Sequence, residues 1–360
     1  MRYFIITGEP SGDLHARNLI KGLKNRDEQA DILFWDSSRM VTVMGFVEVI
    51  SRLGSIISTM RRCKRELLGF NPDVLIVVDC PGFNLRMASF AHRRGYKVFY
   101  YIPPKLWARA EGRIRKIRRC IDEIFIIFPF EVEYFRKLGI EPHYCGNPLV
   151  DCIDSHRFEK VGGGGRTIAL LAGSRKAELS WMMPRFVELE KLLRADSRFD
   201  GYELLVAGAP KMGEDDYSRY MPADSEIKVI FGRTYDIVRQ ADAAVVCSGT
   251  ASLETAIIGT PQVVCYGFNR ITYLLARMVV HVPYISLANL ILGRQIFREL
   301  IQDDSTPEEM FKELVALVFQ EDYRDKMTCD YEALREALGD GGASERIADK
   351  MTELLKKQWI

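Results

Sequence analysis

Residues 161–171 read Val-Gly-Gly-Gly-Gly-Arg-Thr-Ile-Ala-Leu-Leu, four consecutive glycines and then a short apolar run. Four glycines are too costly for a helix and predict a flexible connection. Thr167–Leu171 predicts a buried strand. The same pattern stands on both sides of this break. Before it, Arg2–Thr7, Asp31–Trp35, Asp73–Val78, Lys97–Ile102 and Glu123–Ile127 read as strands, with helical patterns such as Asp13–Asn25 between most of them. After it, Thr167–Leu171, Glu203–Ala207, Lys228–Phe231, Ala243–Cys247 and Gln262–Tyr266 repeat the alternation. Strands alternating with helices imply an α/β fold with two parallel sheets in tandem, a first domain over residues 1–160 and a second over 161–339. Ligands of such sheets bind beyond the carboxyl ends of the strands, so the expected active site is a cleft between the two domains.

Composition agrees with this and excludes other classes. The chain has 360 residues, 48% of them hydrophobic and 28% charged, a globular profile long enough for two cores. Its 8 cysteines include no Cys-x-x-Cys pair, which predicts reduced thiols and no zinc site or disulfide frame. The first apolar run stops at Thr7 and Gly8, too early for a signal peptide. No stretch approaches the roughly 20 apolar residues that span a bilayer. The expectation is a cytoplasmic protein, at most attached to a membrane face.

Four loops follow predicted strands and carry the chemistry. Gly8-Glu9-Pro10-Ser11-Gly12-Asp13 opens a helix, with Ser11 or Asp13 able to cap it. Asp79-Cys80-Pro81-Gly82-Phe83-Asn84 puts an acid just past a buried strand, either as a catalytic carboxylate or as a turn former before Pro81. Gly173-Ser174-Arg175, with Glu178 three residues on, joins small residues to a guanidinium that suits a phosphate. Ser248-Gly249-Thr250-Ala251-Ser252-Leu253-Glu254 offers hydroxyls and backbone N–H groups to a diphosphate, and Glu254 to ribose hydroxyls. Helix capping alone would also explain either of the last two loops. No Asp-x-Asp occurs, so a diphosphate would be held without a metal, by Arg175, helix N-termini and hydroxyls.

Two further features concern the surface. Val43, Phe46, Val47, Ile50, Leu53, Ile57 and Met60 recur at helical spacing, widened by Met44, Val49 and Ile56. Such a stripe packs on its own sheet or dips into lipid, with Arg52, Arg61, Arg62, Lys64 and Arg65 meeting headgroups. Net charge is only +1, yet Arg86–Arg119 holds eleven Lys and Arg against Glu111 alone. That block is a solvated helix face or a surface that favours phosphates and anionic lipid. Apolar strands run through it, which argues against nucleic acid as the partner.

Taken together, GEPSGD, VMGFVEV, DCPGFN, YIPPKLWA, GNP, GSRKAEL and SGTASLE resemble, in this order, the lipid-A-disaccharide synthase family, from residue 1 to about residue 300. The resemblance implies a GT-B fold, two Rossmann-like domains facing across a cleft. It implies an inverting, cofactor-free transfer from UDP-2,3-diacylglucosamine to 2,3-diacylglucosamine 1-phosphate (lipid X), giving a β(1→6) disaccharide 1-phosphate and UDP. It makes Asp79 the general base on the acceptor 6-hydroxyl and Arg175 the group that neutralises departing UDP. Ser248, Gly249, Thr250 and Glu254 would then hold diphosphate and ribose, with Gly173, Ser174 and Glu178 beside them and Tyr235 bordering the uracil. Glu9, Ser11, Gly12, Asp13 and Asn84 would line the acceptor side. Val43, Met44, Phe46, Val47, Ile50 and Leu53 would meet the membrane, at anionic phospholipid on the cytoplasmic face of the inner membrane. The last helix, about 340–360, would cross back to the first domain or exchange within a homodimer.

Three departures from the family pattern stand out. Gly82 replaces a second Asp, Pro104 and Arg109 replace a Ser and a Trp, and the stretch between Trp35 and Val43 is short. They motivate one competing reading, a catalytically weak paralogue that binds lipid or UDP-sugar; sheets and SGT-type loops shared across the fold leave a second, another GT-B enzyme acting on UDP-sugars.

Overall fold

The computed structural model describes residues 1–40, 53–104, 113–163, 165–247, 249–267 and 283–357. The chain divides into two compact units, Met1–Asp151 with Asp340–Ile360, and Cys152–Gly339. Residues just ahead of the glycine run already belong to the second unit. His156 Nε2 lies 3.0 Å from Asp236, whose carboxylate also accepts from Glu159 N, and Val161 N donates to Gln240. The run itself is held: Gly163 N donates to the Glu203 carboxylate at 3.0 Å, and Lys228 pairs with the same group. The flexible connection expected there is, over its described residues, an anchored turn.

Unit 1 is built on β1 (Arg2–Thr7), β2 (Asp31–Trp35), β3 (Val74–Val78), β4 (Lys97–Tyr101), β5 (Glu123–Ile126) and β6 (His143–Tyr144). All pair in parallel, in the order β2-β1-β3-β4-β5-β6. Tyr3 to Ile6 and Val74 to Val78 are fully buried, as strands covered on both faces require. Successive side chains point to opposite faces. Phe4, Ile6, Leu75 and Val77 join the core beneath helices α2 (Leu53–Phe70), α3 (Pro81–His92) and α4 (Ile114–Cys120). On α2, Met60, Cys63 and Leu67 turn to that core at helical spacing, while Ile57 stays 42% exposed. Of the described residues of the amphipathic stripe, Met60 packs on its own sheet, Ile56 is half-buried and Ile57 faces outward. Val43, Met44, Phe46, Val47 and Ile50 lie outside the described residues, as does the Leu53 side chain.

Helix α1 (Pro10–Arg26), with Pro10 at its first position, packs against α14 (Ala343–Lys357), the last helix of the same chain. Ala343, Ile347, Ala348, Met351 and Leu355 are buried there. The N-terminus of α14 is held by Asp151, in the short helix Pro148–Asp154. Its carboxylate accepts from the backbone N–H groups of Gly342 at 2.6 Å, Ala343 at 3.0 Å and Ser344 at 2.8 Å. Asp151→Ala removes an ionised acceptor from three donors and is expected to cost about 2 kcal/mol, read as a lower midpoint in urea unfolding. An unchanged midpoint would show the cap to be dispensable.

His15, on α1, is buried, and burial pushes its imidazole down to about 4 from 6.5. The unfolded chain then binds more protons between these values, so stability is lost as pH falls from about 6.5 to about 4. His15→Gln is expected to flatten the pH dependence of unfolding over that window. A profile identical to wild type would remove His15 from the acid response.

Unit 2 repeats the plan with β7 (Thr167–Leu171), β8 (Glu203–Gly208), β9 (Lys228–Phe231), β10 (Ala243–Val246), β11 (Gln262–Tyr266) and β12 (Glu299–Ile301). They are all parallel, in the order β12-β11-β10-β7-β8-β9. Its helices include α7 (Lys176–Arg194), α9 (Thr234–Gln240) and α10 (Thr250–Ile258). Among the described residues no helix is long and apolar enough to cross a membrane.

Candidate active site

Strand order decides where each unit can hold a ligand. In unit 1 the order reverses between β1 and β3, and in unit 2 between β7 and β10. Loops leaving two such strands diverge to opposite faces and open a crevice at the carboxyl edge. The loops at these two crevices are the four singled out from the sequence.

In unit 1, Thr7 registers with Val78, so Gly8 and Asp79 leave the sheet side by side. A Cβ on Gly8 would collide with the Cys80 side chain, so only glycine lets the two loops close together. Asp79 and Cys80 have φ of +49° and +41°, a left-handed conformation that costs non-glycine residues about 1–2 kcal/mol each. The surroundings impose it. Asn84, fully buried, donates to Val78 O at 2.9 Å and Asp79 O at 2.8 Å. Tyr100 donates to Asp79 O at 2.9 Å, and Asp79 N donates to Tyr101 O. Burial holds the Tyr100 phenol well above its ordinary value, so it stays a donor. The half-buried Asp79 side chain is thereby aimed by its own backbone.

The other predicted residues of this crevice fall into different positions. Asn84 works from beneath Asp79. Asp13 accepts from Thr7 Oγ1, from Ser37 N at 3.0 Å and from Ser37 Oγ at 2.5 Å, tying the end of β1 to the loop after β2. Glu9 is exposed at the start of α1, Gly12 is buried in its first turn, and the Ser11 side chain lies outside the described residues.

In unit 2, Val246 registers with Leu171, and the loops after β10 and β7 start from neighbouring positions. Gly173 has φ +95° and lets the chain turn into α7. Glu178 then closes a ring, accepting from Ser174 N at 2.8 Å, Arg175 N at 3.2 Å and the Arg175 guanidinium at 2.7 Å. Arg175 remains 60% exposed and able to change partner. Gly249 and Thr250 stand at the start of α10, one turn ahead of Glu254, while Ser248 lies outside the described residues. Tyr235, on α9, donates to Glu254 at 2.7 Å and lies edge-on to His156 at 5.3 Å. Burial raises the Glu254 carboxyl and the Tyr235 phenol above their ordinary values. Among the described residues no group of three His, Cys, Asp or Glu is placed to hold a metal ion.

Sequence reasoning missed Tyr100, Ser37 and His156. Tyr100 had a usable signal, because a tyrosine within a buried strand must find an acceptor for its hydroxyl. The other two are brought to their partners only by the tertiary fold.

Two parallel-sheet units, each with a switch-point crevice, define the GT-B class of glycosyltransferases and UDP-sugar epimerases. Solved structures of that fold superpose over nearly the whole chain at low sequence identity. A UDP-GlcNAc 2-epimerase from Neisseria meningitidis bound to UDP-GlcNAc has a TM-score of 0.69 at 11% identity, covering 98% of this chain and 100% of that one. The spinosyn rhamnosyltransferase SpnG has 0.62 at 11%, with the same coverage. The family model described as lipid-A-disaccharide synthetase matches residues 3–351. Lipid-A-disaccharide synthases of Syntrophus aciditrophicus and Geobacter metallireducens are 35% and 34% identical, over 98% and 99% of this chain and 97% and 98% of the relatives. The chain belongs to the lipid-A-disaccharide synthetase family, glycosyltransferases that form the lipid A disaccharide.

Proposed function

We propose that this chain transfers 2,3-diacylglucosamine from UDP to the 6-hydroxyl of lipid X, with Asp79 as general base and Arg175 as the cation at the leaving group. The hydroxyl oxygen attacks the anomeric carbon as Asp79 takes its proton. The bond from that carbon to the UDP oxygen breaks on the opposite face, which inverts the centre without a covalent enzyme intermediate. Arg175, Ser248, Gly249 and Thr250 offset the charge that appears on the diphosphate. Tyr235 leaves one Glu254 oxygen for a ribose hydroxyl. Glu9 faces the acceptor at the rim, Asp13 and Asn84 hold its walls, and Ser11 is assigned to the acceptor by family resemblance alone. The observation that carries this reading is the strained backbone of Asp79 at the unit 1 switch point, bonded to Asn84 and Tyr100 through its carbonyl and to Tyr101 through its N–H. Acylated substrates also call for a membrane face, and the reading places the protein on anionic phospholipid at the cytoplasmic side of the inner membrane.

One observation favours a rival. The alignment with the Syntrophus relative runs over 377 residues against 360 here, so that relative carries residues this chain lacks. A chain that binds without turnover is the reading this supports. Incubating the protein with UDP-2,3-diacylglucosamine and lipid X in detergent micelles with EDTA, followed by mass spectrometry, separates the two. The expected result is a disaccharide 1-phosphate formed at an EDTA-insensitive rate. Binding of UDP without product would establish the rival, and strict dependence on a divalent metal would overturn the metal-free diphosphate site.

A further inference from the structure

Helices α2, α3 and α4 flank an open cavity of about 590 Å³ on the surface of unit 1. Six cations line it: Lys64 from α2, Arg86 from α3, Arg93 just past its end, and Arg115, Lys116 and Arg119 from α4. The buried Met60 and Cys120 supply apolar wall. Among the described residues no carboxylate lines the cavity, and none of the six forms an ion pair.

Some cations of the same unit are paired, while others, such as Lys21, Lys24, Arg61 and Arg65, form no ion pair among the described residues but are not gathered round one concavity. Arg39 and Arg62 share Glu66, Lys97 meets Asp122, and Arg136 meets Glu141. The few described contacts of the six are with neutral groups. Arg93 donates to Ser89 O at 3.1 Å, and Lys64 lies 4.8 Å from the Phe90 ring. Like charges gathered round one concavity repel each other, and an anion seated among them removes that repulsion. Guanidinium groups from two helices suit the several oxygens of a phosphate, which accept paired, charge-assisted hydrogen bonds.

We propose that this cavity is a binding site for a phosphate ester, separate from the crevice at Asp79. Helix α3 leaves the carboxyl edge at Pro81 and runs back along the sheet, so Arg86 and Arg93 lie progressively behind that edge. The proposal does not depend on the transfer reaction. A soluble phosphorylated compound and a phospholipid headgroup present the same chemistry, and the test separates these sources.

Wild-type protein and the double variant Arg86→Gln/Arg119→Gln are compared under saturating UDP, which fills the diphosphate site. Both positions are exposed, so neither change disturbs the core. The probes are inorganic phosphate, followed by calorimetry, and vesicles of phosphatidylcholine with or without phosphatidylglycerol, followed by sedimentation. Wild type is expected to bind at least one phosphate-bearing probe, and the double variant to bind it about ten-fold or more weakly. Binding of free phosphate identifies a soluble ester as ligand. Binding confined to vesicles containing phosphatidylglycerol identifies a headgroup. Lys116→Gln, a milder change, should give an intermediate loss, and UDP affinity should stay constant throughout. The proposal is overturned if wild type binds neither probe, if the double variant matches wild type, or if UDP affinity falls in parallel.

Discussion

Asp79→Ala is expected to lower turnover by about 10²–10⁴-fold, the usual worth of a positioned general base, while UDP still binds. Alanine confounds this result in one respect, because it adopts the left-handed conformation at position 79 with more strain than aspartate. Asp79→Asn is therefore the sharper variant. It keeps the size of the side chain and the tolerance for positive φ, and it removes only the capacity to take a proton. Equal, large losses in both variants, with unchanged thermal unfolding of the Asn form, would assign the loss to chemistry. Near-normal turnover in Asp79→Asn would exclude the residue as base and leave its strained turn without a catalytic purpose.

Arg175→Ala is expected to cost at least about ten-fold in rate, since a charge-assisted contact to the leaving diphosphate contributes roughly 1.5–3 kcal/mol. The loss should be larger than simple deletion implies. Arg175 is the side-chain cation on Glu178, and without it that carboxylate keeps, among the described residues, the two backbone donors Ser174 N and Arg175 N. A less compensated negative charge would then border the diphosphate. Arg175→Lys should rescue only part of the rate, because an ammonium cannot present two parallel N–H groups. Full activity in Arg175→Ala would move the diphosphate away from this loop.

Most of the sheet framework was legible because buried parallel strands announce themselves as continuous apolar runs. β1, β2, β7, β9 and β11 have the bounds read from the sequence, and the other long strands differ at an end by a residue. β6 and β12 were missed. They are two- and three-residue edge strands, too short to show a period and paired on one side only. The four site loops were legible for a related reason, since glycine, serine, aspartate and arginine just after an apolar run stand where a strand ends. Their internal bonding was not. Nothing in the order of residues says that Asn84 faces inward to two carbonyls or that Asp13 binds Ser37 from another strand's loop. Those depend on which strands become neighbours.

The helix that completes unit 1 is made after the whole of unit 2. Unit 2 is a single uninterrupted stretch, whole once Gly339 has emerged, whereas α1 waits for α14 through the synthesis of everything between them. Unit 1 is begun before unit 2 and finished after it. A stop just after Gly339 is therefore a lesion in unit 1, the unit that holds Asp79, while unit 2 keeps every one of its residues.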